Sequence, residues 1–349
     1  MLGETRHRQG RVLGFAATLG GSARGEATAR AVTLDALKTS EIEGELLAPE
    51  QVRSSVARRL GLDTAGLPTP DARADGVVAM LLDATQHPDQ PLTAERLFGW
   101  HAALFPTDRS GLRRLRVGAW RLDTRGPMQV VSGRPGRETV HFEAPAAARV
   151  PAEMARLLTW LNSPTPELDP VIKAGLAHLW FVTVHPFEDG NGRIGRAIGD
   201  WQLARADGAG ERFYALSAQI QQDRGEYYRL LEQTQHDGLE VTAWLLWFLA
   251  CLQRALTTTE ATLEAVRRKT HFWNAPSAQA LNQRQRLLLN RLLDGFEGKL
   301  TSSKWAKIAK CSQDTATRDI QALIRAGLLV QEAGGGRSTS YRLAEGAGN

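Results

Sequence analysis

His185-Pro186-Phe187-Glu188-Asp189-Gly190-Asn191-Gly192-Arg193-Ile194-Gly195-Arg196 joins two apolar-periodic segments of the chain. Before it, Ile172, Leu176, Leu179, Trp180 and Val184 recur near a 3.6-residue period, so Val171 to Val184 is expected to be a buried helix. Pro186 ends that helix, because it lacks an N–H and disfavours helical geometry at His185. After it, Ile194, Ala197, Ile198, Trp201 and Leu203 begin a second apolar-periodic helix. The stretch is therefore a helix–loop–helix with glycines at the mouth of the second helix. Free N–H groups and the positive end of the helix dipole attract phosphate there. Gly190 and Gly192 let successive N–H groups curl round an anion. Arg193 and Arg196 share one face of the new helix and suit phosphate oxygens. Asp189 is a hard oxygen ligand of the kind Mg2+ takes alongside substrate phosphates. His185 can remove a proton at neutral pH. A base, a metal ligand and an anion cradle together point to phosphoryl or nucleotidyl transfer.

A Gly-Asn-Gly turn alone is more often only a turn. A calcium loop starting at Asp189 fails, since Arg193 and Ile194 stand where its fifth ligand and obligatory glycine belong. No GxxxxGK[ST] segment occurs, which excludes a P-loop.

The stretch resembles the signature of the Fic family, HxFx(D/E)GNGRxxR, at every defined position. Fic proteins are α-helical enzymes, most of which move AMP from ATP to a Ser, Thr or Tyr hydroxyl of a protein. The resemblance implies that His185 activates the target hydroxyl and that Asp189 holds Mg2+. It implies that Gly190, Asn191 and Gly192 cradle the phosphates, with Arg193 and Arg196 on the β/γ side. Attack on the α-phosphorus would release pyrophosphate.

Thr39-Ser40-Glu41-Ile42-Glu43-Gly44-Glu45 reads locally as a helix end with carboxylates, bending at Gly44. Alone it would be a solvated acidic turn. Beside the motif, Thr39-x-x-x-Glu43-Gly44 resembles the (S/T)xxxE(G/N) inhibitory signature of the family, which implies that Glu43 pairs with Arg196. A carboxylate there removes the partner of the γ-phosphate and adds a like charge. ATP would then bind with its α-phosphorus out of line.

Bulk properties narrow the setting. Two cysteines, Cys251 and Cys311, are too few for a disulfide or zinc framework. No signal peptide is visible, and the longest apolar run, Trp244 to Leu252, is too short to span a membrane. A cytoplasmic protein without membrane contact is expected. The net charge is +5, unevenly placed: residues 281–343 carry 11 Lys/Arg against 5 Asp/Glu, and the remainder 32 against 33. Any nucleic-acid question belongs to the C-terminal piece.

Residues 1–10 are polar and expected to fray, with a helical pattern from Arg11 to Lys38 broken at Gly20-Gly21. Fic proteins of this layout often carry more N-terminal sequence, so residues ahead of Met1 are expected. His101, among Leu97, Trp100 and Leu104, reads as a structural histidine rather than a ligand. Met128 to Gly133 and Thr139 to Phe142 have strand character about an Arg134-Pro135-Gly136-Arg137 loop. Locally this is a surface hairpin. By resemblance it is the flap that aligns a target segment, with Thr139, Val140, His141 and Phe142 over the nucleotide. Tyr227-Tyr228 reads as core packing more readily than as ligand contact. By resemblance the pair borders adenine, with Gln235 at a place where Asn is familiar.

Residues 271–280, with Asn274-Ala275-Pro276-Ser277, read as a linker. Residues 281–343 pattern as helix–turn–helix followed by a glycine-tipped hairpin, which resembles a winged helix. Gln313, Asp314, Thr317, Arg318 and Gln321 would form its recognition surface, with Arg337 on the wing. DNA and a protein surface both remain open as its partner.

The expected architecture is mainly α: an N-terminal helical region (1–38), a Fic domain (39–270) with its inhibitory segment at 39–44 and a β-hairpin flap, the linker, and the winged helix. The expected activity is AMP transfer from ATP, with Mg2+, to a protein hydroxyl or to the chain itself, restrained by Glu43. AMP removal, transfer of another nucleotide or phospho group, and a DNA-binding regulator whose core senses nucleotide stay as alternatives. The family also implies a homodimer.

Overall fold

The computed structural model describes residues 1–64, 66–124, 126–134, 137–208, 210–236, 238, 240–275, 281–293, 296, 298–332 and 339–344. The chain forms two compact units, Met1–Glu260 and Ala261–Asn349.

The first unit is built round helix α7 (Pro170–Val184), which Asp169 caps by accepting the Val171 N–H at 2.8 Å. Its buried residues lie on all sides, from Val171 and Ala174 to Leu179, Phe181, Val182 and Val184. It is therefore wrapped rather than laid on a surface. Helix α8 (Asn191–Asp207) returns along it, and Gly195 makes the close approach. A Cβ on Gly195 would sit 2.7 Å from Val182 Cγ1. Ile194, Ala197, Ile198 and Trp201 bury the facing sides of α8.

The chain opens with α1 (Leu2–Ala17), α2 (Gly21–Ile42), α3 (Pro49–Arg59), α4 (Ala72–Gln86) and α5 (Ala94–Leu104). Helices α2, α4 and α5 pack beside α8. Thr93 caps α5 by accepting the Arg96 N–H. Helix α6 (Val150–Asn162) lies against α7. Helices α9 (Leu216–Gln222) and α10 (Arg224–His236) follow α8. Helix α11 (Thr242–Asn274) seals α7 through the Trp244 indole, which donates to the Gly175 carbonyl at 2.8 Å.

Two expectations need correction. The N-terminal residues do not fray: α1 begins at Leu2. Its polar Thr5 and Gln9 are buried, Thr5 accepting from Gln253 and Gln9 donating to Asp207. Polar composition misled here because those side chains have partners far along the chain. Residues 271–274 are not linker but the last turn of α11, with Phe272 buried in the second unit; 276–280 lie outside the described residues.

Among the described residues the strands of the first unit are short. β1 (Arg109–Ser110) pairs with β2 (Arg113–Arg114), and β3 (Gln129–Arg134) pairs antiparallel with β4 (Arg137–Glu143). Val131 faces Val140 across that hairpin, and an irregularity follows Val130. Its expected tip, Pro135-Gly136, lies outside the described residues.

The second unit holds helices α12 (Gln283–Leu293), α13 (Ser302–Ile308) and α14 (Gln313–Arg325), then the antiparallel pair β5 (Leu329–Gln331) and β6 (Tyr341–Leu343). Leu288, Leu289, Trp305, Ile320 and Leu323 form its core. Gln313, Asp314, Thr317, Arg318 and Gln321 are exposed on α14. The expected wing tip, Gly334 to Arg337, lies outside the described residues.

Candidate active site at the mouth of the second core helix

His185 follows the last turn of α7 in the left-handed region, φ 51° and ψ 57°. This is uncommon for a residue with a Cβ and is held by its surroundings. Its Nδ1 lies 3.2 Å from the Val182 carbonyl and donates to it, so Nε2 is the free acceptor. Burial lowers its pKa, and the Arg121 guanidinium lowers it further, which keeps the imidazole neutral.

The corner is fastened by a residue that sequence reading missed. Arg121, its side chain fully buried, donates through Nε to the His185 carbonyl at 2.8 Å and through Nη2 to the Pro145 carbonyl. Its Nη1 pairs with Asp123 at 2.6 Å, and its backbone N–H donates to the Pro186 carbonyl at 2.9 Å. Nothing local marks this arginine, which stands 64 residues from its target.

The Phe187–Gly190 loop closes on itself. Asn191 Oδ1 accepts the Phe187 N–H and Asn191 Nδ2 donates to the Phe187 carbonyl, both at 2.9 Å. Its side chain is thus committed to the loop, leaving only its backbone N–H for an anion. Phe187 is buried and stacks on His101 at 4.2 Å. His101 accepts the Gly118 N–H at Nδ1 and donates from Nε2 to the Asp189 carbonyl at 3.2 Å. Burial pushes its pKa down to about 4, so it is a neutral structural strut. Asp189 Oδ1 accepts the Gly190 N–H at 2.6 Å. Its Oδ2 has no hydrogen-bond partner among the described residues. A half-buried carboxylate with one free oxygen fits a cation that draws its other ligands from phosphate and water. Gly190, at φ 80°, starts α8; a Cβ there would meet Phe105 at 2.9 Å.

Opposite the mouth of α8 stands the end of α2. The Gly44 N–H donates to the Glu41 carbonyl and the Glu45 N–H to the Ser40 carbonyl, each at 3.0 Å. With Gly44 at φ 80° this is a Schellman ending. It turns carboxylates on both sides of Gly44 toward α8. Glu43 Oε1 accepts from Arg196 Nη2 at 2.8 Å, and Glu45 Oε2 accepts from Arg193 Nη1 at 2.8 Å. Thr39 accepts from Arg196 twice, at Oγ1 (2.7 Å) and at its carbonyl (2.9 Å). Arg193 also lies 5.1 Å above the Phe105 ring. Burial opposes the charge on Arg196, but Glu43 outweighs it and raises the pKa. A Cβ on Gly192 would fall 2.1 Å from Glu43 Oε1, so only glycine leaves room for that carboxylate.

This arrangement coincides with a family match: residues 91–203 fit the Fic/DOC family. The chain carries a Fic/DOC domain over these residues. Residues 1–62 match a second family, described as a domain of unknown function (DUF4172). The chain is 33% identical over 113 residues to the protein adenylyltransferase Fic of Nematostella vectensis, covering 32% of this chain and 25% of that protein. It is 34% identical over 104 residues to that of Drosophila virilis, covering 30% and 20%. The chain thus matches a quarter or less of these relatives' length. Among solved structures, the Fic family protein from Desulfovibrio desulfuricans G20 superposes with a TM-score of 0.55 at 20% identity, covering 98% of this chain and 95% of that one. A Fic domain containing signaling protein from Bacteroides thetaiotaomicron gives 0.57 at 20% identity, covering 75% and 97%. These likenesses establish the mainly α Fic fold.

The remaining Fic-site candidates are placed unevenly. Strand β4 is fastened to α10: His141 Nδ1 pairs with Glu232 at 2.9 Å, and His236 Nε2 donates to the His141 carbonyl at 2.9 Å. Thr139 and Val140 are exposed, whereas Phe142 is buried. Tyr227 is a core residue, stacked on Trp247 at 5.5 Å with its hydroxyl 3.0 Å from His178 Nε2. Tyr228 is more open and donates to the Ile42 carbonyl at 3.3 Å, beside Glu43. Gln235 is half-buried and donates to Thr183 at 3.3 Å. Among the described residues no three His, Cys, Asp or Glu side chains gather as a metal cluster. No described helix is long and apolar enough to cross a membrane.

Proposed function

We propose that this Fic protein transfers AMP from ATP to a Ser, Thr or Tyr hydroxyl of a protein, and that Glu43 restrains it. The observation that carries the reading is the Glu43–Arg196 ion pair lying over the glycine turn that opens α8. Neutral His185, with Nδ1 committed to a carbonyl, is suited to take the hydroxyl proton at Nε2. The hydroxyl oxygen then bonds to the α-phosphorus as the bond to the bridging oxygen breaks. Pyrophosphate leaves toward Arg193 and Arg196, where donors and the helix dipole receive the charge. Mg2+, held by Asp189 and the phosphates, would neutralise charge on the nucleotide. Glu43 competes with the terminal phosphate for Arg196, and the nucleotide that enters beside it is held out of line.

The relatives' names support this chemistry, and the intact His185 favours it over nucleotide sensing. ATP labelled at the α-phosphate, run beside ATP labelled at the γ-phosphate, tests it with Glu43→Gly protein, Mg2+ and a lysate. Protein label from the α-position alone supports AMP transfer; label from the γ-position, or none, counts against it. For the second unit we propose contact with DNA through the exposed face of α14, supported by the +6 net charge of 281–343.

A further inference from the structure

Glu45 lies outside the inhibitory signature, yet its carboxylate holds the other arginine of the site. It accepts from Arg193 Nη1 at 2.8 Å and lies 3.5 Å from Arg73 Nη1. Arg73 stands in the first turn of α4. A carboxylate between two guanidinium groups presents two anionic oxygens where a phosphate bound by the same pair would present its own. The site is also built for more oxygens than it holds. Arg193 Nε and Arg196 Nη1 are buried, and neither has an acceptor among the described residues. Leaving such donors unpaired is costly, and a polyphosphate supplies the acceptors that two carboxylates do not.

We propose that Glu45 is an internal stand-in for a terminal phosphate group, and that Arg73 is a further phosphate-binding residue which joins Arg193 when Glu45 leaves. The ligand class is a nucleoside di- or triphosphate; a monophosphate lacks the groups that reach these arginines. Glu43 and Glu45 then form two locks on one turn, each on its own arginine. Releasing one leaves the other in place. This rests on the proposed nucleotide site, but not on transfer of AMP.

The test is calorimetric binding of ATP and of AMP, without a protein target, to wild type, Glu45→Gln, Glu43→Gly and the double variant. Glutamine keeps the shape of Glu45 and removes its charge. ATP affinity is expected to rise about tenfold in Glu45→Gln, the scale of one charged hydrogen bond, and further in the double variant, with AMP affinity unchanged. Arg73→Met in the Glu45→Gln background should return much of the ATP gain and leave AMP alone. Equal tightening of ATP and AMP, or no ATP gain in Glu45→Gln, would overturn the stand-in. An Arg73→Met variant that keeps the full gain would remove Arg73 from the site. Tighter ATP binding with no α-label on any protein would leave this inference standing and sink AMP transfer.

Discussion

At the scale of single residues, the proposed base, His185, owes its geometry to a side chain that is given no part in the chemistry. Arg121 holds the His185–Pro186 corner by bonds to both carbonyls and carries the only charge it needs, Asp123, beside it. Arg121→Lys keeps a cation but cannot reproduce the fork, so the left-handed turn at His185 loses its tether. We expect the turnover of Glu43→Gly protein to fall at least tenfold in this variant, with ATP affinity little changed. Steady-state kinetics and ATP calorimetry check this; equal loss of both would mean a merely structural role. Two buried histidines make a second prediction. Burial lowers His101 to about 4 and His178 to about 3, from an ordinary 6.5. Both are neutral when folded and gain a proton on unfolding. Stability from them is therefore complete above about pH 6.5 and lost as pH falls toward 4. Each costs about 1.4 kcal/mol per pH unit in that window. Urea unfolding from pH 7 to 4.5 reads the slope, which His101→Asn should flatten. An unchanged slope would mean that His101 titrates normally.

At the scale of elements, what decides the site is how two helices end. Helix α7 stops at a left-handed histidine before proline, and α2 stops at a Schellman glycine between two glutamates. Gly44→Val forces a branched side chain into φ 80°, at a cost of about 1–3 kcal/mol. It should loosen both carboxylates and raise ATP binding while lowering the melting temperature. Unchanged ATP affinity would mean that the turn does not hold the carboxylates. These ends also show what sequence could and could not disclose. Val171 to Val184, the proline stop and the arginine face of α8 were legible because local periodicity and chirality fix them. The Thr39–Glu43 segment was legible only through its resemblance to a known signature. Arg73 and Glu45 were not legible, since only the packing of α2, α4 and α8 brings them together with Arg193, and Arg121 was not, since the His185 carbonyl it holds lies 64 residues away. Asn191 was legible as a residue of the loop but not in its task, because its side chain is turned onto Phe187.

At the scale of the whole molecule, helical patterning marked a mainly α chain, but polar composition was a poor guide to its start. Thr5 and Gln9 are buried because Gln253 and Asp207 meet them, and a window of ten residues cannot see that. The basicity of 281–343 was visible from counting charges alone. With the full chain and labelled duplex DNA, binding is expected to weaken as salt rises. Arg318→Ala should weaken it further and reduce the salt slope by about one. Binding indifferent to Arg318 would assign the α14 face to another partner. In the proposed function one chain carries both the transfer site and its restraint. Its most direct measurement is the initial rate of AMP incorporation from α-labelled ATP into protein by wild type, Glu43→Gly and Glu43→Gly/His185→Ala. The expected result is a rate at least tenfold above wild type in Glu43→Gly, abolished by the added His185→Ala. A Glu43→Gly rate equal to wild type, or one that survives loss of His185, would contradict it.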